Sequence, residues 1–244
     1  MQRTLTLAAI ALATTLAAPA HAAFRAEFTT DQGDSGFAVS GIELSGSHLR
    51  MNAGKVSTLV DADSGSIIVL MHDKHEYMDM ARMVQAMNAM LANVPPQLRE
   101  MMKQRMAAHG HGGAMVTYTD TGKNESVAGH ACTVYRITAG ESHDSDACLA
   151  DLADAGIDAA DQATLRKVFA DLRAMAKSAV AGIGASSLDQ MPTDKFPVRM
   201  TRYVDGKVAG VTRLKAITHA AAPAADFTIP AGYSEMQMPA FGAH

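Results

Sequence analysis

Short runs with strand periodicity, cut at intervals by turn-forming clusters, constrain this chain more than any other feature of it. Phe24 to Thr30, Gly36 to Leu44, His48 to Met51, Val56 to Val60 and Ser66 to Met71 carry β-branched or alternating apolar residues. Asp31-Gln32-Gly33-Asp34-Ser35-Gly36, Asn52-Ala53-Gly54 and Asp61-Ala62-Asp63-Ser64-Gly65 separate them, and these residue types favour tight reversals. The rhythm predicts a meander of hairpin-joined strands. The last cluster begins like a calcium loop, but counting from Asp61 places His72 where an EF-hand needs glutamate, so a plain hairpin turn is expected.

The period changes at Asp79. Met83, Met87, Met90, Leu91 and Val94 recur at helical spacing, Pro95-Pro96 interrupts, and Leu98, Met101, Met102 and Met106 begin a second helical stripe. Strands resume at Met115 to Thr119, Ser126-Val127, a hairpin spanning the cysteines, and Pro197 to Val204. Between them the stripe Leu165, Val168, Phe169, Leu172, Met175, Ala176, Ala179, Val180 and Ile183 marks a longer helix, from about Asp158, a suitable N-cap, to Ile183. Asp205-Gly206 joins Val198 to Val204 with Lys207 to Ile217 as a two-residue hairpin. Hairpin-linked strands before and after the helices predict one α+β domain over residues 23–244, with a largely antiparallel sheet and helices gathered on one face.

A chain that is 48% hydrophobic and 19% charged is neither disordered nor polytopic. Its net charge of −4, with no basic stripe, argues against a nucleic-acid partner. Met1-Gln2-Arg3, the apolar run Leu5 to Leu16 and Ala20-His21-Ala22 read as a secretory signal over residues 1–22, cleaved before Ala23, which places the protein in the periplasm or outside the cell. The run is short of the ~20 apolar residues a spanning helix needs, so no membrane anchor is expected after cleavage. Cys132 and Cys148 are the only cysteines. In an exported protein they are expected to form one disulfide across a hairpin turning at Ala139-Gly140-Glu141.

Enzyme and cofactor motifs fail one by one. His75-Glu76-Tyr77-Met78-Asp79 begins like a zinc helix but ends in aspartate, and there is neither a G-x-S-x-G elbow nor a P-loop. A non-enzymatic protein without a cofactor is expected. Methionine is the conspicuous residue, with 17 copies and no tryptophan, and nine lie between Met71 and Met106. One reading is an adaptable core in a structural or protein-interaction protein with no small ligand. A second is a lid whose unbranched side chains accept a lipid or other apolar ligand, lined by Met83, Met87, Met90, Leu91, Val94, Leu98, Met101, Met102 and Met106. A third is copper(I) ligation by thioethers together with His72, His75, His109 and His111.

Four segments carry a resemblance: Gly129-His130-Ala131-Cys132-Thr133-Val134-Tyr135, Cys148-Leu149-Ala150-Asp151, Phe196-Pro197-Val198-Arg199 and Phe227-Thr228-Ile229-Pro230-Ala231-Gly232-Tyr233. In these the chain resembles a family of exported bacterial proteins catalogued as a domain of unknown function. The order of meander, helix pair and returning strands is also similar to that of the periplasmic lipoprotein carriers and their outer-membrane receptors. That similarity implies a strongly curved, mainly antiparallel sheet, an incomplete barrel, with helices packed on its concave apolar face and no carried-over catalytic residue.

Overall fold

The computed structural model describes residues 23–31, 39–92, 94–95, 97–98, 101, 116–139, 142–178, 192–220 and 222–236. The meander is β1 (Ala23–Asp31), β2 (Val39–Ser45), β3 (His48–Ala53), β4 (Val56–Asp61), β5 (Ser66–Met71) and β6 (Glu76–Asp79), followed directly by helix α1 (Met80–Ala92). The second half contains β7 (Val116–Val127), β8 (His130–Ala139), β9 (Ser142–Asp151), helix α2 (Ala159–Ser178), β10 (Lys195–Val204), β11 (Lys207–Thr218), a 3-10 turn (Ala224–Phe227) and β12 (Ser234–Glu235).

All the described strands join one sheet in the order β12-β6-β5-β4-β3-β2-β1-β11-β10-β9-β8-β7. Every neighbouring pair is antiparallel except β12 with β6. The sheet is curled and not closed, with β12 and β7 at its margins. Register shifts at Glu27/Phe28, Val39/Gly41, Ile137/Thr138 and Pro197/Arg199 supply the bending, because a bulge kinks its strand and strengthens the local twist. Pro197, which has no N–H to give to a ladder, sits at such a bulge.

Several local expectations are realised in detail. Asp61 Oδ1 accepts the Asp63 N–H at 2.9 Å, and the Ser64 hydroxyl donates to Asp61 Oδ2 at 2.6 Å, closing the β4–β5 turn. Asp205 and Gly206 both take positive φ, 50° and 72°, the conformation a two-residue hairpin demands. Ala128 and Gly129 do the same between β7 and β8. Other boundaries differ. Asn52 and Ala53 continue β3, so that turn is at Gly54-Lys55. Of Met115–Thr119 and Ser126-Val127, expected as two strands, Val116–Thr119 and Ser126-Val127 belong to the single β7, which absorbs the polar Asp120–Asn124 stretch as an irregularity, while Met115 lies outside the described residues. The long helix is described to Ser178; its expected extension to Ile183 lies outside the described residues.

Alternation along the strands gathers Phe24, Ile42, Leu44, Leu49, Val60 and Ile67 from one half with Val134, Ala150, Phe196, Val198 and Leu214 from the other into one core cluster. Phe196 is the joint: its ring meets Phe24 edge-on and stacks on Phe28, each with centroids 6.2 Å apart. Leu165 and Val168 of α2 complete the cluster, and Lys167 Nζ reaches Ala62 O in the β4–β5 turn. Among the described side chains, α2 contributes fully buried residues to this core and α1 contributes the partly buried Met80. Cys132 and Cys148 form a disulfide between β8 and β9, with Cα atoms 5.4 Å apart. They are not directly opposite: the register sets Cys148 against Val134. On the opposite face of these strands Ile137, Ala147 and Leu149 make a second cluster with Tyr118, Tyr135 and Met200, so Ala147 to Ala150 are buried on both sides.

Candidate functional site

The cleft that contains a predicted ligand-binding residue is built where β6 runs into α1. Asp79 ends the strand and caps the helix, its Oδ1 accepting the Ala81 N–H at 2.9 Å and the Arg82 N–H at 3.2 Å. This cap leaves no loop between the two elements. Strand β12 then aligns parallel to β6: the Ser234 N–H donates to His75 O at 3.0 Å and the Met236 N–H to Tyr77 O at 2.8 Å. The result is an open cleft of about 220 Å³ lined by Met78, Met83, Ala86 and Met236, with Asp79, Arg82 and Glu235 around it. Arg82 Nη1 donates to Glu235 Oε2 at 2.7 Å, tying α1 to β12 across the cleft. The pair is solvent-exposed, so it directs geometry more than it adds stability.

Of the residues expected to line a ligand site, Met83 is the one found here. Val94 is partly buried, whereas Leu98 and Met101 are 46% and 52% exposed and do not line this cleft. The side chains of Met87, Met90 and Leu91, and Met102 and Met106 as a whole, lie outside the described residues, as do His109 and His111. Met78 and Met236 complete the lining without having been singled out for it. Met236 is invisible to helical periodicity because it enters from the other end of the chain.

A partly buried polar chain holds that end in place. Arg50 Nε donates to Asn52 Oδ1 at 2.8 Å and Nη1 to Asp226 O at 2.8 Å. The Ser57 hydroxyl donates to Asn52 Oδ1 at 2.7 Å, which leaves its lone pairs for His72 Nε2–H, also at 2.7 Å. His72 Nδ1 then accepts from the Tyr233 hydroxyl at 2.6 Å. This allotment requires a neutral imidazole. Burial, and then the Arg50 charge, hold the His72 pKa below its ordinary value, in agreement with it. Ser57 is 2% exposed and already spends its proton on Asn52, so the Ser57–His72 contact is a structural lock and not a nucleophile with its base. Both ring nitrogens of His72 are engaged by protein groups, which removes it from a copper ligand set. Among the described residues Asp158, Asp161 and His219 form a separate group of metal-ligating side chains.

Residues 40–233 match the model of a family described as a domain of unknown function, DUF4412. The match covers most of the chain, and the protein belongs to that family. No curated protein matches it. The matched segment contains every side chain of the lock and stops at Tyr233, two residues short of Glu235, so one wall of the methionine cleft lies beyond it.

Proposed function

We propose that this is a non-catalytic protein, exported to the periplasm or beyond, that takes the end of an apolar chain, such as a lipid acyl tail, into the cleft between α1 and β12. The carrying observation is that three methionines, Met78 of β6, Met83 of α1 and Met236 just after β12, converge on one open cleft. Unbranched thioether side chains repack around differently shaped guests. The cleft is smaller than the ~300–1,000 Å³ of ordinary small-molecule sites. It therefore suits a chain terminus more than a whole ligand. The disulfide favours an oxidising compartment. Among the described residues no helix is long and apolar enough to cross a membrane.

The test is titration with a fluorescent fatty acid, alongside organic extraction of the purified protein. Saturable binding is expected, weakened about tenfold, or ~1.4 kcal/mol, when Met83→Gln and Met236→Gln place amides in the cleft. Absence of both bound lipid and fatty-acid binding would overturn the reading. The convergence of three thioethers also favours a second reading, a copper(I) site in the same cleft. Replacing the three by leucine separates the two, since leucine preserves an apolar site and removes every soft ligand.

A further inference from the structure

Helix α2 starts beside the end of β11. Asp158 is at its N-cap, its carbonyl accepting the Gln162 N–H at 2.8 Å, Asp161 lies in its first turn, and His219 immediately follows the last residue of β11. One ligand atom from each of the three side chains falls within 4.8 Å of the others, and His219 Nδ1 is 3.7 Å from Asp158 Oδ2.

Acidic residues at a helix start are ordinary, since they answer the partial positive charge of the first turn. Asp161 is not accounted for that way. It is only 1% exposed, and its Oδ1 has no hydrogen-bond partner. A buried carboxylate that neither pairs nor accepts a bond is costly, and here it faces a second carboxylate. Burial and then the Asp158 charge push its pKa up, with His219 opposing them. A cation held among the three groups would satisfy the orphaned oxygen and relieve the repulsion together.

We infer that Asp158, Asp161 and His219 form a binding site for a first-row divalent cation of the zinc type. The ligand chemistry selects the class. Calcium and magnesium take oxygen ligands, whereas zinc combines imidazole nitrogen with carboxylate oxygen at roughly 2.0–2.2 Å. Two ligands on one such ion are at most ~4.4 Å apart. Side chains that now span up to 4.8 Å therefore need only a small closure. Asp158 and His219, with side chains 75% and 44% exposed, are free to make it, while the buried Asp161 fixes the centre. The front stays open for water to fill the remaining positions. The scaffold is firm, because β11 ends in register with Arg25 of β1 and α2 is anchored in the core through Leu165 and Val168. This site shares no residue with the methionine cleft.

The experiment is calorimetric titration of the chelator-stripped mature protein with Zn²⁺, then with Ca²⁺. One equivalent of zinc is expected to bind, with calcium binding far more weakly. Asp161→Asn and His219→Gln should each weaken zinc binding at least tenfold, whereas His48→Gln should leave it unchanged. Zinc should raise the melting temperature of the wild type and of neither site variant. Without metal, Asp161→Asn should melt no lower than the wild type, since the amide removes an uncompensated charge. Should that variant fail to fold, exposed His219→Gln carries the test. No zinc binding by the wild type, zinc affinity unchanged in His219→Gln, or calcium binding as tightly as zinc would each overturn the inference.

Discussion

The two halves of this sheet are held by different means. From β7 to β10 the strands are secured by a buried disulfide and by apolar side chains on both faces, so that Ala147 to Ala150 leave almost no surface. From β3 to β6 the inner face is apolar, and the outer face joins buried Leu59 and Leu70 to the chain Arg50, Asn52, Ser57, His72 and Tyr233, which fastens a segment from the far end of the sequence. Covalent and apolar contacts tolerate changes of pH; a lock made of directed hydrogen bonds through a neutral imidazole does not. The half that carries the methionine cleft is thus the conditional one.

The contrast can be broken first at its joint. Phe196→Ala removes the ring shared by both halves and should cost about 3–5 kcal/mol, read as a lower urea midpoint for the whole chain. Opening the disulfide with Cys132→Ala and Cys148→Ala should cost ~3 kcal/mol. Amide exchange should then accelerate in β8 and β9 but not in β3 to β5. Separate behaviour of the halves is the point of that experiment, and equal acceleration throughout would remove it. Ser57→Ala leaves the His72 Nε2–H and part of the Asn52 and Arg50 bonding unmet, for a loss of roughly 1–3 kcal/mol. Tyr233→Phe, which deletes one hydroxyl donor, should cost about 1 kcal/mol and expose the segment after Asp226 to protease.

Acid sharpens the same comparison with the smallest effect. Because the folded His72 binds its proton less readily than the ordinary value of 6.5, the unfolded chain takes up more protons just below that pH. Stability from the lock is fully present above about 6.5 and declines as pH falls below it. Protease susceptibility of the C-terminal segment should rise over that interval, while protection of β8 and β9 stays constant. In Tyr233→Phe the rise should be blunted.

How much of this could be read from residues alone depended on distance along the chain. Local chemistry announced itself: Asp205-Gly206 as a tight hairpin, Asp61 as a turn, Asp79 as the point where strand becomes helix, and the apolar stripe with Leu165 and Val168. Features assembled from remote parts did not. Strand β12 is two residues long and has no periodicity, and it pairs with β6 in a segment held by contacts such as Tyr233 with His72, 161 positions away, and Glu235 with Arg82. The methionines were legible as unusual, but not which would meet, since Met236 shares a cleft with Met78 and Met83 only after β12 has docked. Asp161 was not singled out at all, because burial is not written in a residue's type.

An open sheet has margins, and a margin twelve residues long, as β7 is, invites a neighbouring chain to continue the ladder. This one carries Asp120, Lys123 and Glu125 together with an irregular stretch and left-handed Gly122. An arriving strand would meet unlike charges and a broken hydrogen-bond register. The fold thereby keeps an unclosed rim without offering copies of itself a template for fibre growth.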